Sequence, residues 1–179
     1  HSRITRHELV SQDDGSYYPL ILARFPMPVY MVSGAPGSGK STFVSQNAGV
    51  GSAVIDLDLI IQSITGMPIY TPVSKAVVNK AFQKRNQLLV ELQQGLKAAD
   101  EIWFILSGWR TSDRRIWCNI LQPEKAYVIM TSEEECIRRI RSDIRRGRVA
   151  SEQCEAVHKW FELFSPCANE VIIQADDDK

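Results

Sequence analysis

Gly34-Ala35-Pro36-Gly37-Ser38-Gly39-Lys40-Ser41, with Thr42 behind it, is the stretch on which the reading of this chain turns. It fits G-x-x-x-x-G-K-[ST] without a gap or mismatch, the pattern of a backbone loop that wraps phosphate. Glycines let successive N–H groups face phosphate oxygens in conformations that a Cβ hinders. In such a loop Lys40 reaches the β- and γ-phosphates and the Ser41 hydroxyl ligates Mg²⁺. The flanks agree. Pro28-Val29-Tyr30-Met31-Val32 reads as a short buried strand entering the loop, and Lys40 to Asn47 as a helix leaving it with its N-terminus toward the anion. The expectation is a nucleoside triphosphate, ATP with Mg²⁺, held by residues 34–42.

The 179 residues are enough for one domain with a single core, and 44% hydrophobic with 23% charged residues is ordinary globular composition. Twenty-one basic residues balance 21 acidic ones, so no global field draws the chain to nucleic acid or membrane. Cys118, Cys136, Cys154 and Cys167 form no C-x-x-C pair and read as reduced structural thiols of a cytoplasmic protein. No apolar run reaches the ~18–20 residues a membrane span needs, so no membrane partner is expected. The expected division is an N-terminal extension over 1–27, a phosphate-loop domain over 28–175 and a solvated tail at Asp176-Asp177-Asp178-Lys179. The start at His1-Ser2, without methionine, is what a cloning scar leaves, and a preceding domain stays open. Oligomeric state is not legible.

Strand and helix patterns alternate downstream. Tyr17 to Phe25 suggests an extended segment beside the core, and Ser52 to Asp56 a second strand. Asp58 opens a helix through Ile64 that Gly66 and Pro68 stop. Ser74 to Lys97 has helical apolar spacing, and Glu101 to Ser107 is a near-continuous apolar strand. A helix over 112–121, a strand over 126–130, helices over 133–146 and 151–164, and a strand over 170–174 follow. The predicted architecture is three-layer α/β, with a five-stranded, mainly parallel sheet and chemistry at the strands' carboxyl ends.

Asp56-Leu57-Asp58 ends the second strand, and alternate positions on extended chain share a face, so both carboxylates can look toward the loop. Asp56 is the metal candidate, through water, and Asp58 the candidate base for an attacking hydroxyl. Helix capping by Asp58, with Asp56 merely solvated, is the structural alternative. Ser107 stands after the third strand, where a carboxylate often orders the metal's water; it brings no charge, so metal affinity rests on Ser41, Asp56 and the nucleotide.

Arginines crowd the region after Glu133. Arg138, Arg141, Arg145 and Arg148 fall at spacings of three, four and three, one stripe of a continuous helix. With Gly147 beside them they suit a lid that closes on the transferring phosphate, Arg141 and Arg145 foremost and Arg148 next. A solvated face paired with Glu133, Glu134 and Glu135 is the alternative. Trp109 and Arg110 follow the third strand and are candidate acceptor contacts, a ring for a base and a cation for a phosphate, or else a packed Trp and a solvated Arg. Lys75, Lys80, Lys84, Arg85 and Lys97 can line a nucleic-acid groove or form a solvated helix face.

With these elements placed, the chain resembles the small P-loop kinases of the polynucleotide kinase and zeta-toxin group, particularly phage-encoded members. The resemblance spans roughly residues 28–165 and rests on Val32 to Thr42, on Val54-Ile55-Asp56-Leu57-Asp58 with Gln62-Ser63-Ile64, on Asp113 to Trp117, and on Cys136 to Arg141 continuing through Arg148 to Trp160-Phe161. It implies a nucleoside-kinase-like fold with an Arg-rich helical lid, Asp58 as general base on a 5′-hydroxyl, and Lys40, Arg141 and Arg145 as electrostatic stabilisers. Asp56 through Gly66 is also similar to shikimate kinases, whose paired aspartates serve a small-molecule hydroxyl. The first expectation is thus ATP- and Mg²⁺-dependent phosphotransfer to a nucleic-acid or nucleotide hydroxyl. A sugar-nucleotide or metabolite acceptor, and an ATPase module of a phage machine with water as acceptor, are the alternatives.

Overall fold

The computed structural model describes residues 17–175; the first sixteen residues of the expected extension and the tail at 176–179 lie outside the described residues. Five strands form one sheet: β1 (Val29–Gly34), β2 (Ser52–Ile55), β3 (Glu101–Leu106), β4 (Lys125–Met130) and β5 (Glu170–Gln174). Their order is β2-β3-β1-β4-β5, and every pairing is parallel. The sheet is therefore fully parallel among the described residues. β1 is central, with Met31 level with Phe104 of β3 on one side and Ala126 of β4 on the other. Parallel strands require crossovers, which supply helices to both faces and explain why β1 and β3 read as apolar runs without alternation.

Those crossovers are α1 (Lys40–Asn47), α2 (Leu57–Thr65), α3 (Lys75–Gln93), α4 (Thr111–Leu121), α5 (Glu133–Ser142) and α6 (Ala150–Leu163). Met31, Ile55, Ile102 and Phe104 on one sheet face pack with Ile60 of α2, Leu89 of α3 and Trp117 of α4. Val32, Trp103, Ile105 and Ile129 on the other face meet Val44 of α1. Cys136 and Ile140 of α5 join Val157 and Trp160 of α6 over Val128. All four cysteines are free thiols.

Three expectations change. The segment at 17–25 forms no strand; Tyr17 is buried edge-on to Phe82, while Leu20 and Leu22 face solvent. The basic face of α3 loses one member, because Arg85 points inward with its guanidinium 4.7 Å from the Trp117 ring centre and 5.0 Å from that of Tyr17, while Lys75 and Lys80 stay exposed. Lys84 donates to Ser63 Oγ, and Lys97 lies beyond the helix and pairs with Glu91. The arginine helix is not continuous to Arg146. It ends at Ser142, Asp143 is extended, and a 3₁₀ turn spans Ile144–Arg146. Arg138, Arg141, Arg145 and Arg148 therefore do not share one helix stripe.

Candidate active site

The loop between β1 and α1 takes its shape from backbone that only glycine adopts without strain. Gly37 has φ +74° and Gly39, the N-cap of α1, φ +97°. A Cβ on Gly37 would also sit 2.7 Å from the Cys136 carbonyl of α5. Two side chains from the second half of the chain fasten this loop. The Thr131 hydroxyl at the end of β4 lies 2.7 Å from Ser38 O and 2.9 Å from Ala175 O and shares its proton between them. Arg139 Nη1 donates to Gly37 O at 3.4 Å and Ser38 O at 3.3 Å, while its Nε is held by Glu135. Carbonyls are thus occupied from behind. The first N–H groups of α1 have no intrahelical acceptor, and the buried Ser38 hydroxyl has no partner among the described residues. Orphan donors of this kind, at a helix N-terminus with a positive dipole end, fit the oxygens of a triphosphate.

Lys40 folds back over the loop and donates to Gly34 O at 2.7 Å and Ala35 O at 3.0 Å. Burial lowers its pKa to about 8; the carboxylates of Asp56 and Asp58 pull it up, and Arg146 pushes it down. Asp56, rather than Asp58, caps α2: its Oδ1 accepts from Asp58 N at 3.0 Å. Burial raises Asp56 to about 6, helped by the Asp58 charge and opposed by that hydrogen bond and by Lys40. Asp58 is raised as well, by desolvation in the cleft, against the pull of Lys40 and Arg146. Lys40 therefore senses the charges of Asp56, Asp58 and Arg146. Ser41 stands exposed at the start of α1. Among the described residues no group of three or more His, Cys, Asp or Glu forms a metal cage. A divalent ion fits here only as Mg²⁺ commonly binds, through Ser41, Asp56 and the nucleotide's own phosphates.

Of the remaining predicted residues, Arg145 lies with its guanidinium 5.6 Å from the Tyr70 ring centre. Arg141 and Arg148 are exposed, and Arg145 pairs with Asp143 at 2.8 Å. Arg146, which the stripe passed over, reaches inward. It donates to Asp143 Oδ2 at 3.1 Å, Gln153 Oε1 at 2.6 Å and Tyr70 Oη at 2.9 Å. Asp143 both ends α5 and caps the 3₁₀ turn, its side chain accepting from Arg145 N, and this break shifts the arginine register away from continuous helical spacing. Trp109 packs on the α5–α6 core with Arg110 at 4.3 Å and Lys159 at 4.8 Å from its ring centre. Ser107 contributes its carbonyl, which accepts from Gly34 N and Trp160 Nε1.

A cavity of about 200 Å³ opens beside Asp58. Asp58, Ile61, Gln62 and Thr65 form its α2 wall, residues 68–73 its rim, and Val149 and Gln153 its far side. Tyr70 on that rim has φ +65°, a left-handed conformation that a bulky residue rarely takes. Neither Trp109 nor Arg110 lines it.

A parallel sheet carrying a phosphate loop after its central strand, with a carboxylate pair after the edge strand β2, defines a P-loop kinase-like domain. The chain belongs to the AAA domain family, which matches residues 29–164. Family membership implies ATP in the loop, typically with Mg²⁺. Among solved structures the fold is similar to shikimate kinase from Bacteroides thetaiotaomicron, at 16% identity and TM-score 0.52, covering 83% of this chain and 86% of that one. It is also similar to a chain of the Pnkp1/Rnl/Hen1 RNA repair complex, at 14% identity and TM-score 0.56, covering 80% of this chain and 48% of that chain. A kinase candidate from Chloroflexus aurantiacus J-10-fl aligns at 16% identity and TM-score 0.55, covering 84% and 88%. Among curated proteins no match was found. No described helix is long and apolar enough to cross a membrane.

Proposed function

We propose that this chain is an ATP- and Mg²⁺-dependent phosphotransferase that moves the γ-phosphoryl group to an acceptor hydroxyl. The observation that carries this reading is the double position of Asp58, which interacts with Lys40 of the phosphate loop and lines the adjacent cavity. A hydroxyl in that cavity has a carboxylate beside it to accept its proton, and a cationic loop beyond to hold the phosphoryl group it attacks. The loop amides and Lys40 orient the triphosphate. Arg146 supplies a cation on the acceptor side, and Mg²⁺, held by Ser41 and Asp56 with the phosphates, offsets their charge. Arg141, Arg145 and Arg148 contribute only if the connection between α5 and α6 moves, and Arg145 must then leave Asp143. For the acceptor, the sequence resemblance to polynucleotide kinases offers a 5′-hydroxyl of a nucleic acid or nucleotide. The alternatives are a small-molecule alcohol, or water in an ATPase module.

The test is transfer of label from γ-labelled ATP in Mg²⁺ to 5′-hydroxyl oligonucleotides, nucleosides, sugars and sugar nucleotides, with Asp58→Asn in parallel. Labelled acceptor, lost with Asp58→Asn, is the expected result. Release of free phosphate alone, unchanged by the substitution, defeats the kinase reading.

A further inference from the structure

We infer that the cavity beside Asp58 takes a compact, uncharged polyhydroxylated acceptor, the size of a monosaccharide or the sugar of a nucleoside, and excludes anionic acceptors. The inference rests on the phosphotransferase reading and names its substrate class. Size is the first argument. At about 200 Å³ the cavity falls below the roughly 300–1,000 Å³ of sites for drug-sized ligands, so the part of an acceptor seated in it is one ring.

Charge is the second. Asp58 is the sole ionisable carboxylate or cationic side chain among the cavity's lining residues, and its negative field opposes a phosphate or carboxylate entering beside it. Arg146 is already committed to Asp143, Gln153 and Tyr70, with its guanidinium 4.3 Å over the Tyr70 ring, and Arg145, 5.6 Å from the same ring centre, is paired with Asp143. Lys84 is drawn to Ser63, which does not line the cavity. An anion would thus be desolvated there beside Asp58, with the two cations that stand over the Tyr70 rim already paired.

Hydrogen-bond supply is the third. Asp58, Ile61, Gln62 and Thr65 recur at three- and four-residue spacing and line one side of α2. The Gln62 side-chain amide and Gln153 Nε2 have no hydrogen-bond partner among the described residues and reach the cavity from opposite walls. Amides that both donate and accept match hydroxyls, while Ile61 and Val149 offer the apolar surface that a sugar's C–H face covers.

The experiment compares labelled-phosphate transfer to ribose, glucose and adenosine with transfer to gluconate, ribose 5-phosphate and a 5′-hydroxyl DNA oligonucleotide, in the wild type, Val149→Trp and Gln62→Arg. Label on a neutral acceptor is expected. Val149→Trp should raise that acceptor's KM at least about tenfold while binding of a fluorescent ATP analogue stays unchanged. Gln62 is exposed, so Gln62→Arg folds regardless, and it should shift the anionic-to-neutral ratio of kcat/KM about tenfold toward the anions. Label only on gluconate, the sugar phosphate or the oligonucleotide, or an unmoved ratio in Gln62→Arg, overturns the inference and leaves the kinase reading standing. Free phosphate with no labelled acceptor overturns both.

Discussion

Arg146 Nη2 donates to Tyr70 Oη at 2.9 Å, joining the turn between α5 and α6 to the rim of the cavity at α2. The two residues lie 76 positions apart, and both are within electrostatic reach of Asp58. In the proposed reaction Arg146 is the acting cation, while Arg145, 5.6 Å from the Tyr70 ring centre, stays paired with Asp143. Arg146→Ala should lower kcat roughly 100-fold, the usual scale for removing one transition-state donor. Arg141→Ala and Arg145→Ala, which remove exposed or surface-paired cations, should stay within about threefold. Steady-state kinetics at saturating ATP distinguishes them, and equal losses at all three positions would defeat this assignment.

Tyr70→Phe removes the bridge but keeps the ring beneath the guanidinium. The acceptor KM should rise about three- to tenfold with kcat nearly unchanged, because the rim loses an anchor while the loop and Lys40 stay in place. A fall in kcat at constant KM would instead place Tyr70 among the groups acting on the transition state.

Nucleotide binding should weaken in alkali. Lys40 in the free protein titrates near 8, and a triphosphate binds its protonated form. As pH rises through that value the cation is lost, so Kd for ATP should climb by up to roughly tenfold per pH unit until the bound-state pKa is passed. Proton uptake on binding, read by calorimetry in buffers of different ionisation enthalpy, should appear near and above pH 8 and fade well below it.

Asp56 is held near 6 in the folded chain against 3.8 as a free carboxyl, so folding favours its protonated form. The resulting stabilisation is complete below the unfolded value and is lost as pH rises through about 6. Asn caps a helix as well as Asp does. Asp56→Asn should therefore unfold later than wild type near neutral pH, by about 1–2 kcal/mol after allowance for water in the cleft, and match it near pH 4. Urea titrations at the two pH values measure this, and activity should fall where stability rises.

Arg114 and Glu170 form an ion pair at 2.7 Å with side-chain exposures of 0% and 1%. Arg114 also donates to the carbonyls of Gly108 and Ser165, tying β5 to the chain after β3. Glu170→Ala strands a buried guanidinium charge and should cost about 3–5 kcal/mol in chemical denaturation. Replacing both partners by Met and Leu should recover part of that loss.

The boundaries of α1, β2, α2, β3, α4, β4 and β5 were legible to within one residue, and those of β1 to within two, because apolar runs, glycines and polar breaks are local signals. The residues of the phosphate loop were legible for the same reason, since their spacing along the chain is itself the requirement of the chemistry. The pairing of Asp56 and Asp58 was visible too, but their division of labour was not. Which carboxylate caps α2 depends on the φ and ψ at the strand's end, and the extended backbone at Asp56 makes it the cap.

The arginines mark the limit more sharply. Helical spacing chose Arg141 and Arg145 on the assumption that one helix runs to Arg146. Asp143 breaks it, rotates everything downstream, and turns Arg146 toward Tyr70 while Arg139 is left bracing the loop. Arg85 and Arg114 show the same limit from within: in the sequence each is one more surface cation, and in the fold one lies among aromatic rings and the other faces a buried glutamate.

Class, phosphate loop and strand order of appearance follow from the chain alone, because they depend on interactions between residues a few positions apart. The cavity, the bridge from Arg146 to Tyr70 and the shared field around Asp58 were decided only by tertiary structure. They join residues from α2, the loop after it and the α5–α6 connection, and no periodicity records which distant side chains will meet once the sheet has brought those segments to one edge.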